Sequence, residues 1–174
     1  PGPGEVLVKI MASGVCHSDW HVIKGDWTSY MSFPVLLGHE GAGVVESVGA
    51  NVSGVKPGDH VILSFKPSCG VCEMCQKGWP SLCNRSPIVS SKPTVRETGV
   101  SLSTIAGLGT FADFTIVPEV AAVVIDEDIP FPQAALLGCG VTTGVGAVLN
   151  TAKVQPGSTV AVFGCGGVGL NCIQ

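Results

Sequence analysis

The sequence predicts a β-rich domain of barrel type that gives way near residue 140 to the start of an α/β domain. Three observations carry this. Short alternating apolar runs recur between glycine- and proline-rich turns over the first 125 residues. Hydrophobic residues make up 45% of the 174 and charged residues only 13%, which gives a substantial core and excludes global disorder. Finally, the apolar run Ser158–Phe163 leads straight into a glycine cluster.

Taken in order, Glu5 to Ile10 alternates as a half-buried strand, with Val6, Val8 and Ile10 on one face. Ala42 to Val48 and His60 to Leu63 are further strands, punctuated by Gly49 and the turn Pro57-Gly58-Asp59. Phe111 to Val117 and Ala121 to Ile125 repeat the pattern. Between them, Ser86 to Thr104 is rich in Ser, Thr and Pro and reads as an irregular excursion. Gln133 to Leu137 and Thr142 to Ala152 read as helical, and Ser158 to Phe163 as a buried strand. The predicted domains are residues 1–139, with a lobe near 69–83, and residues 140–174.

The net charge of −4 and the scattered nine Lys and Arg residues argue against a nucleic-acid partner. Two stretches lack charge, Ile129 to Ala152 and Val154 to Gln174, and each is long enough to suggest a membrane span. Prolines and glycines interrupt both, so they are expected to be buried α/β core. The chain opens without Met and closes within what reads as the first turns of a helix.

Four of the eight cysteines, Cys69, Cys72, Cys75 and Cys83, lie in CGVCEMCQKGWPSLC with spacing C-x2-C-x2-C-x7-C. Disulfides fit such close pairs poorly in a nonsecreted enzyme, and the last gap departs from the ferredoxin run. Zinc accepts four thiolates tetrahedrally, and a closed shell leaves no position for a substrate. A structural zinc is the favoured reading. Cys16, His39 and Cys139 are candidates for a second, open site, because a catalytic zinc keeps three protein ligands and one free position. Taken singly, each of these is weak evidence for a metal. Ser158–Phe163 followed by Gly164, Gly166 and Gly169 is strand-then-G-x-G-x-x-G, the dinucleotide fingerprint.

GVCHSD, GHEGAGVVESVGANV, the four-cysteine run, GCGVTTG and the glycine loop occur together in this order. The chain thereby resembles the zinc-dependent alcohol dehydrogenases of the medium-chain dehydrogenase/reductase superfamily. The resemblance implies a GroES-like catalytic domain followed by a Rossmann domain. It implies two Zn²⁺ per chain, a catalytic one on Cys16, His39 and Cys139 and a structural one on the four-cysteine set. Asp19 resembles the carboxylate that orients the metal-binding imidazole of His39, and Glu40 the acidic residue behind the metal. Ser18 and His21 resemble the relay that carries the alcohol proton to solvent. Thr143 and Val168 resemble residues that touch the nicotinamide. His17 stands where a basic residue often meets the cofactor pyrophosphate, which implies weaker cofactor binding than an Arg would give.

The implied activity is hydride transfer between a primary alcohol or aldehyde and NAD, in a cytoplasmic, membrane-free homodimer or homotetramer. NADP stays open, because the acid that reads the ribose is expected beyond Gln174. Thiol-conjugated formaldehyde is the alternative substrate, and a non-catalytic zinc-binding module the alternative class. Family members run to about twice this length, so the chain alone is expected to bind zinc and turn over little.

Overall fold

A computed structural model describes residues 1–87, 89 and 92–174. Its centre is a five-stranded antiparallel sheet of order β6-β1-β3-β4-β7. The strands are β1 Glu5–Gly14, β3 Glu40–Val48, β4 His60–Leu63, β6 Phe114–Pro118 and β7 Ala122–Val124. A separate parallel pair joins β2 Val35–Leu36 to β5 Ser103–Thr104.

The sheet cannot be flat. Strands β6 and β7 occupy opposite edges, which in a flat five-stranded sheet would stand about 19 Å apart. Yet only the short turn Glu119–Ala121 links Pro118 to Ala122, a reach of at most about 14 Å. The sheet therefore curls until its edges approach, giving the expected barrel-type, GroES-like half barrel. Irregular register in the β1–β3 ladder, between Leu7 and Val8 and between Ile10 and Ala12, bends the longest pair.

Two cores result. Inside the curl, Val6, Val8, Val45, Val61, Leu63 and Val117 are fully buried, with Ile10 packed against them, so the face expected from alternation is realised. On the other side Ala42 meets Ala134 and Ala135. These small residues let helix α3, Phe131–Leu136, lie close on the sheet.

Beyond α3 the expected pair of helices is one continuous run. π-Helical turns over Leu137–Val141 and Ala147–Ala152 flank α4, Thr142–Gly146. Pro132 does not interrupt it, because a first-turn residue needs no amide donor. By length and composition alone, Phe131–Ala152 is long and apolar enough to cross a membrane. Its first turns pack on the sheet and buried Gly144 packs on the helix Gly167–Ile173, but most of the run is not buried, contrary to the core reading. The boundary expected at 139/140 lies inside it.

The strand expected over Ser158–Phe163 does not form. Its backbone pairs with no strand among the described residues, and Phe163 is 98% exposed. A buried strand needs strand neighbours along its edges, and among the described residues this segment has none. The glycine cluster after it does enter a helix, α5 Gly167–Ile173.

Alternation did not reveal two further helices. These are α1 His17–Lys24, which ends at left-handed Gly25, and α2 Glu73–Gln76 in the cysteine lobe. The excursion over 86–104 holds only an isolated Thr94–Ser101 bridge and β5; Ile88, Ser90 and Ser91 within it lie outside the described residues.

Candidate metal centre

The β1–β3 register builds the first cluster. Gly14 pairs with Glu40, so Cys16, two residues past that pair, comes beside His39, one residue before it. Gly138 brings the helical run against the same corner. A Cβ there would stand 2.9 Å from the Leu63 carbonyl and 3.8 Å from Glu40 Cα, so only a small residue fits. Cys139 follows in the π turn. As a result Cys16, His39, Glu40 and Cys139 place their donor atoms within 4.8 Å of one another. The Glu40 carboxylate, expected behind the metal, contributes an oxygen to this group.

Asp19 ties the corner together from α1. Its Oδ2 accepts the Cys16 N–H at 3.2 Å and its Oδ1 the Gly38 N–H at 2.8 Å. Oδ2 also faces His39 Nδ1 at 3.6 Å. With Nδ1 turned to Asp19, Nε2 is the ring nitrogen left for the thiols. Gly38 itself has φ of +88°, a conformation that a side chain resists. Its carbonyl accepts the Thr110 N–H at 2.8 Å, and Thr110 meets Ser13 Oγ at 2.7 Å. The turn that presents His39 is thus held from two sides.

The donor set fits a cation. Burial pushes the Cys139 thiol up to about 12, and the Cys16 thiol and Glu40 carboxylate add to the rise while Thr143 offsets part of it. A partly buried thiol held this high ionises near neutral pH only when positive charge is supplied. His39 Nδ1 is buried without a hydrogen-bond partner, which a metal on Nε2 would remedy by drawing the ring N–H toward Asp19. Phe65 packs edge-on to His39, with ring centroids 6.0 Å apart. Together with Leu63, Leu137, Gly138 and Thr142 it lines an apolar cleft beside the cluster. Nothing in the spacing of the sequence marked Phe65.

The expected relay residues lie on α1. Ser18 Oγ is 3.7 Å from Cys16 Sγ. His21 Nδ1 meets Asp26 Oδ2 at 2.8 Å, and its ring stacks on Trp27 and touches His17. Asp26 and Trp27 were not anticipated; the Lys24-Gly25 stop signal, which turns the chain back onto His21, would have found them.

The second cluster is the lobe. Cys69, Cys72, Cys75 and Cys83 converge within 4.8 Å, and none of them is in a disulfide. Sγ of Cys72 lies 3.5 Å from that of Cys75 and 3.9 Å from that of Cys83. A tetrahedral zinc with 2.3 Å bonds requires edges of about 3.8 Å, so the set matches. Backbone amides already favour thiolate. The Cys75 and Asn84 amides hold the Cys72 thiol down to about 6, and the Cys69 amide lowers Cys83. Burial keeps Cys75 up at about 11.

At the other end, Thr143 Oγ1 lies 3.9 Å from Cys139 Sγ, which places it beside the first cluster. Gly164, at φ +95°, and Gly166 precede α5, and Val168 and Gly169 lie within it. A Cβ on Gly169 would sit 1.9 Å from the Gly164 carbonyl oxygen, so the third glycine permits the tight turn of the chain into the helix. Cys165, between the first two glycines, is exposed.

A curled half barrel carrying a mixed thiol–imidazole cluster and a four-thiol lobe defines a zinc-type GroES-like domain. Residues 2–128 match the family model "Alcohol dehydrogenase GroES-like domain", and the chain belongs to that family. An S-(hydroxymethyl)glutathione dehydrogenase of Photobacterium damsela subsp. piscicida is 48% identical over 181 residues, covering 100% of this chain and 49% of that protein. A protein of the same name from Escherichia coli O1:K1 / APEC is 46% identical, with the same coverage. Among solved structures, an alcohol dehydrogenase zinc-binding domain protein from Burkholderia ambifaria superposes with a TM-score of 0.84 at 35% identity, covering 99% of this chain and 48% of that one. Benzyl alcohol dehydrogenase from Acinetobacter calcoaceticus gives 0.82 at 36% identity, covering 98% and 47%. The chain spans about half the length of the curated relatives it matches.

Proposed function

We propose that this chain is the catalytic part of an NAD-dependent zinc alcohol dehydrogenase that interconverts a primary alcohol and an aldehyde. The observation that carries the reading is the convergence of Cys16, His39 and Cys139 from three separate elements, beside an apolar cleft. Zinc held there supplies Lewis acidity toward an alcohol oxygen, and NAD supplies the hydride acceptor. Cys16, His39 and Cys139 hold the metal, and Asp19 fixes the His39 ring. Glu40 offers a carboxylate from behind, and Phe65 excludes water above the imidazole. Ser18 takes the alcohol proton, and His21, fixed by Asp26, is the terminal base that releases it to solvent. The four-cysteine lobe binds a second, structural zinc.

In this reading residues 1–139 form the catalytic domain and 140–174 open a Rossmann cofactor domain. Gly164, Gly166 and Gly169 receive the pyrophosphate with His17, while Thr143 and Val168 meet the nicotinamide. The whole protein is then a cytoplasmic homodimer or homotetramer.

A second substrate reading has a specific observation in its favour. The curated relatives at 48% and 46% identity carry the name S-(hydroxymethyl)glutathione dehydrogenase. One assay tests both readings. NADH formation by the protein as its gene encodes it is followed with primary alcohols, with formaldehyde, and with formaldehyde plus glutathione. Alcohol-dependent reduction that disappears on zinc removal supports the first reading. Formaldehyde oxidation that requires glutathione selects the second. No nicotinamide reduction with any of them refutes both.

A further inference from the structure

Helix α1 carries a pair of imidazoles outside both cysteine clusters. His17 and His21 are four residues apart, so their side chains share one face of the helix. Their ring centroids lie 4.8 Å apart, with planes inclined at 72°. The Nδ1 of His21 meets Asp26 Oδ2 at 2.8 Å, and the ring stacks on Trp27 with centroids 5.2 Å apart. A carboxylate accepts only, so Nδ1 is the donor in this contact, and in the neutral ring the lone pair is on Nε2. His17 is exposed, and its ring lies against that of His21.

The spacing suits a shared cation. An imidazole bound at about 2.0 Å has its centroid about 3.2 Å from the metal. Two of them at a roughly tetrahedral angle therefore stand about 5 Å apart. The interval from His17 to His21 is also the one by which H-E-x-x-H helices present two histidines to zinc. Asp26 stands where carboxylates orient metal-binding imidazoles.

We propose that His17 and His21 form a third, bidentate site for a divalent transition cation such as Zn²⁺, with Asp26 orienting His21 and water completing the shell. Two neutral donors bind more weakly than the thiolate sets, so the site fills only after they do. Occupancy takes the lone pair that His21 needs as terminal base, and zinc then slows turnover. That consequence rests on the proposed function; the binding does not.

The chain, labelled with ¹⁵N-histidine and stripped of loosely held metal on a chelating resin, is titrated with Zn²⁺. Equilibrium dialysis counts the metal, and long-range ¹H–¹⁵N spectra follow the imidazoles. One further equivalent is expected, moving the His17 and His21 resonances together and leaving His39 in place. His17→Ala and His21→Ala should each abolish that equivalent, and Asp26→Asn should weaken it about 10-fold or more. Absence of the extra equivalent, its persistence in both alanine variants, or movement of only one imidazole would overturn the site. Zinc that binds this pair in the full enzyme without slowing turnover would leave the site standing and refute the relay role of His21.

Discussion

Asp19 Oδ2 lies 3.6 Å from His39 Nδ1, with both side chains almost wholly buried. The same oxygen accepts the Cys16 N–H, so one carboxylate positions two of the candidate ligands. Asp19→Asn keeps the shape and removes the charge. Zinc affinity at the Cys16–His39–Cys139 cluster is expected to fall 10- to 100-fold while the lobe keeps its zinc, as read by competition with a chromophoric chelator. Equal loss at both sites would contradict a local positioning role.

Gly38→Ala tests the turn that presents His39. A Cβ there would lie 2.6 Å from the Phe111 backbone nitrogen and from Thr110 Oγ1, on a backbone at φ +88°. A loss of about 2 kcal/mol or more is expected in denaturant titration, from strain and overpacking together. A neutral effect would show that the turn relaxes freely.

Cys83→Ser separates the two metal centres. Cys83 is buried and accepts the Cys69 N–H on its sulfur. The variant should lose one zinc and melt at lower temperature, because a structural zinc contributes directly to folding. Its first cluster, on other elements, should still bind cobalt(II) with thiolate-to-metal absorption. Loss of that absorption as well would mean that the lobe and the cluster fold as one unit.

How legible the fold was depended on whether a signal is local. Val6, Val8 and Ile10 alternate, and their face is buried as periodicity requires. The four lobe cysteines lie within fifteen positions, and spacing alone marked them as a set that converges. Cys16, His39 and Cys139 are joined only by the β1–β3 register and the approach of Gly138, which no local pattern records; neighbouring motifs pointed to them. Helix α1 was missed because eight residues show too little periodicity, although Gly25 marks its end. Ser158–Phe163 has strand composition, but strand formation also needs partners, and composition cannot supply them.

Glu119 gives a pH-dependent test of the β6–β7 turn. Its carboxylate accepts the Gly54 and Ser53 N–H groups, which hold it below the usual carboxylate value. A group depressed on folding stabilises the fold above its unfolded pKa, and the contribution disappears as pH falls through the folded one. Glu119→Gln should therefore cost on the order of 1 kcal/mol at neutral pH, allowing for solvent screening, and progressively less in acid. Chemical denaturation at several pH values measures this, and a pH-independent difference would rule out the ionised carboxylate as its source.

The most direct measurement is the number of tightly held zinc ions per chain, by plasma mass spectrometry after passage over a chelating resin. The assignment of one zinc to each cluster predicts two in the native sequence, one in Cys139→Ser and one in Cys75→Ser. A single zinc in the native chain, or two retained in Cys139→Ser, would contradict it.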